Sequence, residues 1–202
     1  MKAKLLLVLL LFVSSFAFAQ DNKKAVEARL TEYLNYMISK DFNKAMDYAP
    51  DELFEIVPRS QMVMAMEKVF SDPSMEFNIT EPKILHAGDT EKIDDKHYML
   101  LKYSNVLKMK FNNADVKTET EDEQKFRINL MKLSFEKMFG EGNVKYDEKT
   151  EFYDIYAEKD VYAVSKDGKT DWRFVVVDKD QKVMLGKLLP KQLIDRIDFS
   201  KN

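Results

Sequence analysis

Between His97 and Phe111 the chain alternates, and this alternation restricts the fold more than any other stretch. The odd positions are His97, Met99, Leu101, Tyr103, Asn105, Leu107, Met109 and Phe111, while the even positions include Lys102, Ser104, Lys108 and Lys110. Successive side chains of a strand point to opposite faces. A period of two sustained over this length therefore predicts one long strand with a single buried face.

Elements on either side supply something to cover that face. Val26, Leu30, Leu34 and Met37 or Ile38 recur at three- and four-residue spacing, which predicts a helix over 22–40. Asp41 is placed to cap a second, short helix reaching about Tyr48 and ending before Pro50. Pro50 to Pro58 reads as an apolar loop carrying Leu53, Phe54, Ile56 and Val57. Ser60 then caps a third helix whose inward side holds Met62, Val63, Met66, Val69 and Phe70. Met75–Thr80 and Lys83–Ala87 read as strands separated by Pro82, a residue that favours a bend or an edge position. Asp94-Asp95 marks a turn.

Past the long strand, Asp115 to Glu123 reads as a solvated acidic loop, and a fourth helix runs from about Glu121 to Phe139. Phe126, Leu130 and Leu133 lie on one side of that helix, with Ile128, Met131, Phe135 and Met138 beside them. So broad an apolar stripe predicts packing against a sheet, and Gly140 and Gly142 end the helix. Strands are expected over Asn143–Glu148, Glu151–Ala157 and Val161–Ser165. A tight turn at Asp167-Gly168 follows, with a return strand over Trp172–Val177. Asp178 to Gln181 is expected to turn into a last strand, Lys182–Leu188, before Pro190 opens a short helix with Leu193, Ile194 and Ile197.

The first nineteen residues have the layout of a secretory leader. Lys2 and Lys4 precede an apolar run from Leu5 to Val13, and Ala17-Phe18-Ala19 matches a signal-peptidase site, so cleavage is expected between Ala19 and Gln20. The apolar run falls short of the ~20 residues that span a bilayer. The expectation is an exported chain, periplasmic or secreted, with residues 1–19 a signal peptide and residues 20–202 a single α+β domain. No transmembrane segment is expected after removal of the leader. With no cysteine in the sequence, stability has to come from an apolar core and not from disulfides. Loss of Lys2 and Lys4 leaves 30 basic against 35 acidic residues, a net charge of −5 with the signs interspersed. That balance speaks against a nucleic-acid partner, which requires a basic face.

The opening from Tyr33 to Phe70 is an amphipathic helix, then Lys40-Asp41-Phe42-Asn43-Lys44-Ala45, the apolar loop and another helix. Together with the long strands that follow, it resembles the nuclear transport factor 2-like superfamily, also described as cystatin-like α+β. The chain is similar as well to exported Gram-negative proteins of this layout. The resemblance implies N-terminal helices packed on a curved antiparallel sheet; the helix at 121–139, inserted between strands, departs from the commonest version of that fold. The resemblance also implies a cone-shaped cavity between helices and sheet. The superfamily hosts isomerases, dehydratases, cyclases and non-catalytic binding modules, so the site must decide the function.

Catalytic motifs are sparse. His86 and His97 are the only histidines and lack the spacing of a zinc pair, and Asp178-Lys179-Asp180 lacks the later ligands of a calcium loop. There is no Gly-x-Ser-x-Gly, and the five glycines form no phosphate-binding loop. No metal site, cofactor or catalytic residue is assigned. The candidates for lining a cavity are the polar residues that interrupt the apolar face of the long strand, His97, Tyr103 and Asn105, together with Asp154. Tyr103 equally fits a core ring with its hydroxyl at the rim, and Asn105 equally marks a β-bulge. The reading is a non-catalytic binding or accessory module whose partner is a small apolar ligand in the cavity or an envelope protein docked on the sheet. One alternative is a small acid–base enzyme with His97 or Asp154 as the base. Another is a structural component of an envelope or surface assembly, with a filled cavity and an exposed apolar patch.

Overall fold

A computed structural model describes residues 22–112 and 119–200. The expected leader and its Ala19–Gln20 cleavage point lie outside the described residues, as do residues 115–118 of the expected acidic loop.

Residues 22–38 form helix α1, whose Val26, Leu30 and Leu34 are buried as their spacing predicts. Asp41 caps α2 (Phe42–Ala45) by accepting the Lys44 backbone N–H at 3.2 Å, and a 3-10 turn over Met46–Tyr48 extends it. The stretch expected as a loop between Pro50 and Pro58 is instead a helix, α3 (Asp51–Ile56). Asp51 and Glu52 fill its first turn, where free N–H groups and the helix dipole favour carboxylates. Helix α4 (Arg59–Phe70) starts after Pro58 and not at Ser60. Of its expected inward residues only Val63 is fully buried. Met62, Met66 and Phe70 pack half-buried around Phe42, Ala45 and Met46, and Val69 faces solvent.

Among the described residues six strands then build one open antiparallel sheet around the long strand: β1 (Met75–Ala87), β2 (Glu91–Ile93), β3 (Lys96–Phe111), β4 (Val144–Asp147), β5 (Phe152–Ser165) and β6 (Arg173–Val176). The order is β1-β3-β5-β4, with β2 on β3 and β6 on β5. β3 pairs with β5 without a break from His97↔Ser165 to Met109↔Tyr153. The expected gap between two strands at Glu158–Asp160 is therefore absent. Those charged residues stay in the ladder because Glu158 and Asp160 flank Lys102 on the solvent-facing side.

The two expected pieces of β1 are likewise one strand, at the edge of the sheet. Thr80 pairs with Val106 and Lys83 with Ser104, so Glu81 and Pro82 together oppose the single residue Asn105. Glu81 takes φ +53 to make this bulge. Asn105 does mark a bulge, and the extra residue is on the neighbouring strand.

The covered face carries the odd positions of β3. At one end Met99, Leu101, Tyr103, Val161 and Ala163 meet Val26, Leu30 and Leu34 of α1. At the other end helix α5 (Glu121–Phe139) lays Phe135 against Tyr153 and Ile155, with Leu107, Met109 and Phe111 around them. A reciprocal cap between Thr120 and Glu123 starts α5, and Gly140 at φ +100 ends it.

The opposite face is covered at one end only. There Tyr98, Tyr162, Val164, Val175 and Val177 meet α6 (Lys182–Leu188) and α7 (Lys191–Ile194) through Leu185, Leu189 and Leu193. The expected strand at Lys182–Leu188 is thus a helix, because its apolar residues are spent at a four-residue interval, Leu185 to Leu189, onto this cluster. A short apolar run carries no period that separates the two possibilities.

Candidate functional site

Tyr103 and Asn105 project from the covered face of β3, and the Glu81–Pro82 bulge of β1 lies opposite Asn105. Tyr33, Leu34, Met37 and Ile38 of α1 close the space from above, leaving a cleft of about 50 Å³ that also touches Ile79 and Pro82. Burial pushes the Tyr33 hydroxyl up to about 12 and raises that of Tyr103, with Tyr33 adding to the second shift. Both phenols are therefore neutral hydrogen-bonding groups at ordinary pH. Asn105 is 8% exposed, and its Oδ1 has no hydrogen-bond partner among the described residues. Tyr33, Tyr103 and Asn105 are the polar residues that line this otherwise apolar cleft. Its volume admits a water or one small group, well below the ~300–1,000 Å³ of sites that enclose a metabolite.

Of the four residues expected to line the cavity, only Tyr103 and Asn105 meet. His97 shares the face of Tyr103 but lies six residues away along the strand, roughly 20 Å at 3.3 Å per residue. Its ring packs on Gly168 so tightly that a Cβ there would stand 2.6 Å from His97 Cγ. Asp154 is on the other face: it pairs in register with Lys108, and its Oδ1 lies 2.6 Å from Lys108 Nζ. That contact is an ion pair without the alignment of a directed hydrogen bond. Asp154 is thus corrected from a cavity residue to one of a row of charge pairs on the open face, with Lys102–Glu158 and Lys110–Glu151. Tyr33 was missed by sequence reasoning. Its signal is its place one turn after Leu30, on the same inward side of α1.

A wider, polar cleft of about 400 Å³ opens between α3 and the loop joining β5 to β6. Five of its charged side chains are engaged with one another or with the loop. Lys96 Nζ holds Glu52 Oε1 at 2.5 Å, which lowers the Glu52 carboxyl and raises the Lys96 amine, and Arg173 Nε holds Asp171 at 3.0 Å. Asp167 accepts from Thr170 Oγ1, from the Thr170 and Lys169 backbone N–H groups and from Ser165 Oγ. The turn expected at Asp167-Gly168 is thus a wider loop organised by one carboxylate, with Gly168 at φ +69.

The third feature lies on α5. Asp122, Phe126, Leu130, Leu133 and Lys137 recur at three- and four-residue intervals and so share one stripe, about a quarter of the helix circumference. The stripe faces away from the sheet, leaving Phe126 71%, Leu130 53% and Leu133 64% exposed. The expectation that the whole broad apolar surface of this helix packs on the sheet holds only for the side bearing Ile128, Met131, Phe135 and Phe139.

Among the described residues no group of three His, Cys, Asp or Glu side chains is placed to hold a metal ion, and no helix is long and apolar enough to cross a membrane. No protein-family model, curated protein or solved structure matches the chain.

Proposed function

We propose that this chain is an exported, non-catalytic accessory module that docks a protein partner through the outer face of α5. The observation that carries this reading is a contrast of sizes. The space between α1 and the sheet is about 50 Å³, while three large apolar side chains in a row on α5 are more than half exposed. Exposed apolar residues gathered into one stripe characterise interaction surfaces, whereas scattered ones do not. Of the two ligand types the sequence left open, a protein fits this surface better than a small apolar molecule fits the cleft. The docking face is a helix and not the sheet.

The acid–base alternative draws no support from its own residues, since Asp154 is held by Lys108 on the far face and His97 is remote from Tyr103. A nuclear transport factor 2-like arrangement and cleavage between Ala19 and Gln20 belong to the same proposal. The order of helices followed by an open antiparallel sheet supports the first, and the Ala17-x-Ala19 pattern supports the second.

The test is isolation of the chain from its native envelope after crosslinking, beside a Leu130→Asp variant. A protein recovered in stoichiometric amount by the wild type and lost in the variant is the expected result. A small molecule retained one-to-one in native mass spectrometry, and released by Asn105→Ala, would overturn the docking reading in favour of the cleft.

A further inference from the structure

We propose that the occupant of the α5 face is α5 of a second copy of this chain, packed antiparallel about a two-fold axis. The proposal rests on the docking reading above and names its partner.

The argument is the order of residues along the stripe. It begins with Asp122, runs through Phe126, Leu130 and Leu133, and ends with Lys137. All five are exposed, and among the described residues neither Asp122 nor Lys137 has an ion-pair partner. The neighbouring charges of the helix are satisfied within it, Lys125 by Glu121 at 2.7 Å and Lys132 by Glu136 at 3.7 Å. An apolar centre with one unpaired acid at its start and one unpaired base at its end is complementary to its own reverse.

A two-fold axis makes each contact occur twice, residue i on j and j on i. The register that seats Phe126 on the partner's Leu133 brings Leu130 to the axis. The same register sets Asp122 beside the partner's Lys137, without any further adjustment. A parallel copy would place Asp122 on the partner's Asp122 and Lys137 on the partner's Lys137, so charge selects the antiparallel pair. An unrelated partner has no need of this symmetry.

Burying three large side chains per subunit, on a helix of 19 residues, amounts to a small interface. Dissociation constants on the order of micromolar are expected of interfaces at the low end of the size range.

Sedimentation equilibrium of the purified chain tests this, with circular dichroism to show that every variant keeps its helix. A concentration-dependent dimer is expected in the wild type and a monomer in Leu130→Asp. Asp122→Lys and Lys137→Asp should each weaken the dimer about five- to tenfold, because each creates two like-charged contacts. The two combined should return the wild-type constant to within about twofold, since the pairs are re-formed with their signs exchanged. That recovery cannot come from the helix itself, as both changes oppose its dipole.

A wild type that stays monomeric up to about 1 mM, a dimer indifferent to Leu130→Asp, or a double variant no better than the singles would each overturn the inference. Should the wild type be monomeric while an envelope protein is still captured through Leu130, the docking reading stands and the self-pairing falls. Should neither a dimer nor a captured protein be found, both fall.

Discussion

Phe126 and Phe135 stand nine residues apart on α5, about two and a half turns, and so face in opposite directions. Phe135 is buried edge-on against Tyr153, with ring centroids 5.4 Å apart, whereas Phe126 is 71% exposed. Two identical side chains on one helix thus belong to different problems, one to the core and one to the surface.

Truncating each separates them. Phe135→Ala is expected to cost about 3–5 kcal/mol of unfolding free energy, and Phe126→Ala in dilute protein to stay within about 0.5 kcal/mol of the wild type. Urea denaturation measures both. Equal losses would mean that α5 is packed on both sides within one chain.

Asn105 gives the second prediction. Its Oδ1 is buried beside the Glu81–Pro82 bulge with no hydrogen-bond partner among the described residues, and a buried polar atom left unsatisfied costs about 1–3 kcal/mol. Asn105→Leu, similar in size, is expected to be neutral or to stabilise the fold by about 1–2 kcal/mol in thermal unfolding. Clear destabilisation would show that a bound water or ligand group satisfies the amide in solution.

Gly168 gives the third. It combines φ +69 with a position where any Cβ would collide with the His97 ring. Gly168→Ala should destabilise by about 1–3 kcal/mol, and the companion His97→Ala should relieve part of that loss. A Gly168→Ala melting point equal to the wild type would place the His97 ring elsewhere in solution.

The loop carboxylate gives a pH dependence. Hydrogen bonds from Thr170 first, then Lys169 and Ser165, hold the Asp167 carboxyl well below the usual carboxylate range. A value lower in the folded than in the unfolded chain means stabilisation that is complete above the unfolded pKa of about 4. That stabilisation is lost as pH falls through the lowered folded value. Melting temperatures of wild type and Asp167→Asn should therefore differ by a constant amount above about pH 5 and converge below about pH 4. A gap that widens on acidification would contradict the assignment.

Much of this architecture is legible in the chain, and the failures have identifiable causes. The period of two at His97–Phe111 survives in β3 because one face is covered along its length, so the pattern and the burial agree. Asp41 and Pro190 sit at helix starts as their chemistry predicts. Lys182–Leu188 reads as a strand because seven residues of mixed Lys and apolar character fit either period, and only packing with Tyr162 and Val175 decides for a helix. The site was harder still. Which face Asp154 occupies follows from its register with Lys108, a long-range fact that Tyr153 and Tyr156 beside it do not encode. Likewise, Phe126 and Phe135 read as one broad stripe until the sheet is found to occupy only half of the helix.

The Glu81–Pro82 bulge has a consequence beyond shaping the cleft at Asn105. β1 is an outermost strand, and a straight outer strand of thirteen residues offers a row of unpaired amides to any other extended chain. Pro82 contributes no N–H, and the added residue twists the ladder at its middle, so no incoming strand can stay in register along the full length. A protein without disulfides to hold its margins together is in this way guarded against growing, edge upon edge, into fibrils.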